Sequence, residues 1–174
     1  MERGLDMTST DNKTRLNSFE NYSVVELLTT HNTVLDELRR RQIIRSANNP
    51  TGDYTEWLTA QKLGLRLSKN SAKGYDATDD QTGLRYQIKG RRLSSTNKST
   101  QLGVIRNLER CEFDFVIAVV FNVDWQVKCA AKIPHAVVAG SAKHRAHVNG
   151  HVLHVRPSLF EIPGVEDVTG MLRT

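Results

Sequence analysis

The sequence predicts a mixed α/β (α+β) domain built around one sheet. Three observations predict it: a helix with a complete start signal near the N-terminus, a continuous apolar run from Phe115 to Phe121 suited to a strand buried on both faces, and short alternating stretches separated by turn residues. Helices come first, then strands with short helices between them, then a further hairpin, which fits a central mixed β-sheet flanked by helices with an N-terminal helical extension.

Residues 1–18 are dense in Ser, Thr, Asp and Asn without periodic apolar positions, and are expected to form a mobile tail. Residues 19–47 form a helical segment. Ser23 with Glu26 makes a capping box, and Val24, Leu28, His31, Leu35 and Leu38 recur at helical spacing, widened by Leu27 and Val34, up to about Arg41. Its last turns carry Arg39, Arg40, Arg41 and Arg45, which suit the negative end of the helix dipole. The same arginines also suit a phosphate-contacting patch, or a helix-turn-helix broken near "THNT", and their spacing does not separate these readings. The apolar stripe is a candidate seam for a homodimer.

The main domain is expected over residues 48–174. Asn49-Pro50 and Thr51-Gly52 break the chain, Asp53 caps a second helix with Tyr54, Trp57, Leu58 and Ala60 on its apolar face, and Gly64 ends it. A short strand around Leu65–Leu67, a loop over residues 68–74 and a hairpin turning at "DDQTG" follow. In the hairpin's second arm Leu84, Tyr86 and Ile88 alternate with Arg85, Gln87 and Lys89. "QLGVIRNLER" is a candidate short helix, "FDFVIAVVFN" the central strand and "NVDWQVKCAAKI" its hairpin partner. Pro134 starts a short helix, Asn149-Gly150 signals a hairpin with a type I′ turn, and "PGVEDVTGMLR" closes the chain as a short helix.

Composition narrows the function. A hydrophobic content of 39% with 25% charged residues describes an ordinary globular chain, and a net charge of +5 leans toward an anionic partner such as nucleic acid. No apolar run reaches the roughly 18 residues of a membrane span, and the N-terminus lacks the apolar core of a signal peptide. No membrane partner and a cytoplasmic location are expected, with Cys111 and Cys129 as free thiols. P-loop, dinucleotide, Cys-x-x-Cys and nucleophile-elbow motifs are all absent from the sequence. His144, His147, His151 and His154 have no neighbouring cysteine, and read as surface or phosphate-contacting residues rather than zinc ligands.

The chemistry concentrates in "GYDATDDQTGLRYQIKGRR". Gln87 and Lys89 share one face of their strand, and hairpin pairing brings Asp76 toward Gln87. Glu56, from the preceding helix, is the further carboxylate placed upstream of that sheet. Asp and Glu oxygens suit a hard divalent cation, which polarises a phosphoryl group and acidifies a bound water, while a lysine beside it orients the water or stabilises phosphate charge. Lys69, Lys73, Lys89, Arg91, Arg92, Lys98 and Arg106 are expected to border the site and contact phosphates. Read blandly, the same residues are a turn aspartate and the solvated face of an edge strand.

"GYD", a ten-residue hairpin and "QIK" resemble the Asp…(Asp/Glu/Gln)-x-Lys signature of the PD-(D/E)XK nuclease superfamily, the restriction-endonuclease-like fold. By that resemblance Asp76 matches the metal-binding carboxylate, Gln87 the second acidic position, Lys89 the catalytic lysine and Glu56 the helix glutamate of many members. It covers residues 51–124 and implies a restriction-endonuclease-like core, dependence on Mg²⁺ (or Mn²⁺) and cleavage of DNA phosphodiesters. Two positions depart from the pattern: Gly-Tyr precedes Asp76 in place of a proline, and Gln87 is neutral. The alternative expectation is therefore a catalytically weak or inactive nucleic-acid-binding protein on the same fold.

Overall fold

A computed structural model describes residues 19–68 and 74–173; the expected tail, residues 1–18, and the basic residues Lys69 and Lys73 lie outside the described residues. Helix α1 (Val24–Arg40) starts where its capping box directs: the Ser23 hydroxyl accepts from the Glu26 N–H at 3.3 Å while the Glu26 carboxylate accepts from the Ser23 N–H at 2.7 Å. It runs unbroken through "THNT", so no helix-turn-helix forms there. Arg39 pairs with Asp36, and Arg40 and Arg41 both pair with Glu37, within the helix and its cap. The apolar stripe is mostly uncovered: Val24 is 71% and Leu28 60% exposed, and Leu35 is the buried residue of the helix.

Helix α2 (Thr51–Leu63) starts earlier than expected, with Pro50 at its N-cap position. Asp53 does not cap it. Its carboxylate accepts instead from the backbone N–H groups of Arg45 (2.9 Å) and Ser46 (2.7 Å), a competing pair of donors that pins the link between α1 and α2. Gly64 closes the helix in the left-handed conformation, as expected.

Eight strands follow: β1 (Arg66–Leu67), β2 (Ala77–Thr78), β3 (Arg85–Arg92), β4 (Phe115–Phe121), β5 (Val127–Pro134), β6 (Lys143–Arg145), β7 (Gly150–Val152) and β8 (Glu166–Asp167). Six form one mixed sheet in the order β1-β2-β3-β4-β5-β8, with β3 and β4 parallel and the other pairs antiparallel; β6 and β7 form a separate ribbon. Short helices α3 (His135–Ser141) and α4 (Thr169–Leu172) complete the order. The fold is thus a mixed α/β domain with a central mixed sheet flanked by helices and an N-terminal helix, as the sequence predicts.

β4 lies between β3 and β5, and Val116 to Phe121 are fully buried. Each such apolar side chain stabilises the fold by about 1.5–3 kcal/mol, so this strand anchors the domain far more than the exposed ion pairs of α1. Alternation divides the core in two. Ile88, Ile117, Val119 and Phe121 pack with Leu58 of α2 and Leu172 of α4 on one face, while Val116, Ala118 and Val120 pack under Leu102, Ile105, Leu153 and Val138 on the other.

Three expected local features are replaced. "QLGVIRNLER" is not a helix: it runs extended, bridged through Gln101 to His154 and Ile105 to His151, with a single 3₁₀ turn at Leu108–Arg110. Leu102, Ile105 and Leu108 are buried, a requirement that extended chain meets equally well once β7 offers it backbone partners. The β6–β7 ribbon reverses through a 3₁₀ turn, Ala146–Val148, not a two-residue turn, because Gly150 already pairs with Arg145. A Cβ at Gly150 would meet Val104 Cγ1 at 2.4 Å, so that glycine serves a close approach. The C-terminal helix is shortened to α4 because Glu166–Asp167 join the sheet as β8.

Gly90 on β3 seats α2. A Cβ there would lie 2.0 Å from the Thr55 hydroxyl and 3.2 Å from the Thr51 carbonyl oxygen, backbone that cannot swing away. Thr55 is itself fully buried and donates to the Thr51 carbonyl at 2.5 Å. Gly90→Ala is expected to destabilise the fold by about 1–3 kcal/mol in urea unfolding, as overpacking does. A change within 0.3 kcal/mol of zero, on the order of additivity error, would contradict this seating.

Candidate functional site

The β2–β3 register pairs Ala77 with Tyr86, and one step further sets Asp76 opposite Gln87. The Asp76 N–H donates to the Tyr86 carbonyl at 2.8 Å, while its carboxylate turns across the ladder to accept from the Ile88 N–H at 2.7 Å and the Gln87 amide at 3.2 Å. Asp76 is thus held by two donors from β3 rather than projecting from a turn.

Gln87 and Lys89 are register partners of Val116 and Ala118, so both lie on the face of β3 away from α2. Gln87 is buried and Lys89 half-buried. No ion pair among the described residues involves Lys89.

Glu56 approaches Asp76 from α2. It forms an ion pair with Arg45, and its side chain is 18% exposed. Burial, then the negative charge of Asp76, pushes its carboxyl up to about 7, with Arg45 pulling the other way. The two carboxylates therefore share one electrostatic neighbourhood without a hydrogen bond between them. A chain of contacts joins them: Arg45 also donates to the Ser68 carbonyl at 3.1 Å, and the Ser68 N–H donates to the Asp76 carbonyl at 2.9 Å.

Arg45 is the site residue that sequence reasoning missed. Its position after α1 suggests a helix-end charge, but Asp53 folds the link back so that Arg45 faces Glu56, eleven residues along the chain. Nothing local in the sequence signals that contact. Trp125 was missed likewise: its ring lies 4.9 Å beneath the Arg92 guanidinium.

The basic residues divide. Arg91 and Arg92 line a cleft of about 500 Å³ with Thr51, Gln101 and Trp125. Arg91 donates to the Ser99 carbonyl at 3.0 Å, and Arg92 donates to the Val123 carbonyl. Lys98 instead lines a separate recess with Lys128 and Arg173, and Arg106 is exposed and lines neither. So Asp76 is bonded to Gln87 and lies in the electrostatic neighbourhood of Glu56, Lys89 follows two residues along β3 on the face of Gln87, and Arg91 and Arg92 lie further along the strand, while Lys98 and Arg106 stand apart.

Chemically, the site offers two carboxylates, an amide oxygen and a lysine. No cluster of three or more His, Cys, Asp or Glu side chains placed to hold a metal occurs among the described residues. The chain matches no family model and no curated protein.

Glu56 provides a direct check. Its carboxyl carbon, followed by NMR, is expected to titrate near pH 7. Arg45→Met should raise that midpoint and Asp76→Asn lower it. Because the folded value lies above the ordinary one, the protonated group favours folding below about pH 4.5, and this contribution is lost as pH rises through about 7. Glu56→Gln should flatten stability over that window. A midpoint near 4.5 that neither substitution moves would contradict the arrangement.

Proposed function

We propose that the chain is a divalent-metal-dependent endonuclease that hydrolyses DNA phosphodiester bonds, resembling the PD-(D/E)XK superfamily in a Gln-x-Lys form. The observation that carries the proposal is the pair of mutually repelling carboxylates, Glu56 and Asp76, beside Gln87 and Lys89 on the adjoining strand.

The donor chemistry fits Mg²⁺ or Mn²⁺. Asp76 and Glu56 supply hard anionic oxygens, and Gln87, whose amide donates to Asp76 through nitrogen, retains its oxygen as a neutral third donor. Such a small set suits an ion that keeps several waters and takes substrate phosphate. When bound, the cation polarises the phosphoryl group and acidifies a water.

The chain's own residues do the rest. The Ile88 N–H fixes the Asp76 carboxylate, so the ligand is positioned before substrate arrives. Arg45 balances the charge of Glu56. Lys89 is the cation available to orient an attacking water or to donate to a non-bridging phosphate oxygen as charge builds there. Arg91 and Arg92 lie on the continuation of the same strand, where they would contact backbone phosphates and position the duplex without reading its sequence.

The second reading, a nucleic-acid-binding protein without catalysis, rests on the neutral Gln87. The two separate cleanly. With Mg²⁺ or Mn²⁺ the purified chain should cut DNA, and Asp76→Ala or Lys89→Ala should reduce the rate by about 10²-fold or more. Gln87→Glu should lower the Mg²⁺ concentration needed, since it restores a charge to the ligand set. Salt-sensitive DNA binding that ignores chelators, without cleavage of single- or double-stranded DNA, would establish the second reading.

A further inference from the structure

The histidine- and arginine-rich C-terminal ribbon carries a second concentration of charge that takes no part in the Asp76 site. Lys143 and Arg145 alternate onto one face of β6. The register Lys143–Val152 and Arg145–Gly150 puts Val152 on that same face, and the alternation carries on through His154 to Arg156. His144 and His151 pair on the opposite face, their rings 5.1 Å apart.

Lys143, Arg145, His154 and Arg156 converge with Ser141 and Ser158 on a cavity of about 210 Å³. At ~30 Å³ per water in the liquid this holds roughly seven waters, enough for a tetrahedral oxyanion and part of its shell. No acidic side chain lines it. None of the three cations joins an ion pair among the described residues. Burial, and after it Arg156, Arg145 and Lys143, hold the His154 imidazole below its ordinary value. Hydroxyls and guanidinium groups around a concave, uncompensated positive site are what a phosphate group binds.

We propose that this cavity is a phosphate-binding pocket, distinct from the Asp76 site, built by Lys143, Arg145, His154 and Arg156. Its location relates it to nucleic acid. Gln101 is bridged to His154 and also lines the cleft of Arg91 and Arg92, so one extended segment connects the pocket with that cleft. A backbone phosphate of a bound strand can therefore occupy the pocket while its neighbours follow the cleft; the phosphate of a free mononucleotide offers the same chemistry.

The experiment follows the His154 ring by NMR during titration with inorganic phosphate, with a nucleoside 5′-monophosphate and with duplex DNA under chelating conditions. Inorganic phosphate should shift the His154 signals saturably and raise the pH of its titration midpoint. Arg156→Ala and the pair Lys143→Ala with Arg145→Ala should each weaken phosphate binding about tenfold or more, as loss of charged hydrogen bonds does. Lys89→Ala should leave it unchanged. Since these residues are solvent-exposed the variants are expected to fold, and amide spectra together with the charge-conserving Arg156→Lys check it. DNA that moves His154, with a smaller salt dependence of affinity in the Lys143/Arg145 variant, identifies the backbone as the source; movement with the mononucleotide alone identifies a free phosphate. If none of the three probes moves His154, or if the charge-removing variants bind phosphate as the parent does, the pocket is not a phosphate site.

Discussion

The arrangement depends on one unfavourable interaction that the fold sustains: two carboxylates, Glu56 and Asp76, held near one another with Glu56 mostly buried. Left to relax, like charges move apart or take a proton. Here neither is free to move. Asp76 is fixed by donors from Gln87 and Ile88, and Glu56 is fixed by α2, which Gly90 allows to sit directly on β3. Burial, and after it the charge of Asp76, raises the proton affinity of Glu56, and Arg45 relieves it in part. Energy stored this way is a common mark of a site prepared for a charged ligand.

The backbone beneath it explains why the arrangement holds. The parallel pairing of β3 with β4 joins the Gln87–Lys89 stretch to the most deeply buried strand of the domain. The polar tips therefore rest on a rigid support, while the alternate side chains Tyr86 and Ile88 point into the core against α2. Polar and core-forming residues alternate along one strand, which the period of two makes possible.

Much of this was legible in the sequence because it was local. The capping box of α1, the left-handed Gly64, the Asp76–Gln87 hairpin and the Phe115–Phe121 strand each rest on spacing or on a residue's own conformational preference. What could not be read was set by distant partners. Asp53 capping a backbone link instead of a helix, Arg45 turning to Glu56, and "QLGVIRNLER" pairing with the ribbon rather than coiling all depend on groups brought in by tertiary structure. The stripe of α1 shows the converse: a strong helical pattern says that a helix forms, and not what covers it.

The central claim is that the Glu56–Asp76 pair takes a divalent cation. A crystal grown with Mn²⁺ and measured at the manganese absorption edge tests it most directly. The account predicts an anomalous peak within coordination distance, about 2.1 Å for an ion of this class, of carboxylate oxygens from both Asp76 and Glu56, with Arg45 displaced from Glu56. Mn²⁺ found elsewhere on the protein, with the Arg45–Glu56 pair intact, would contradict it.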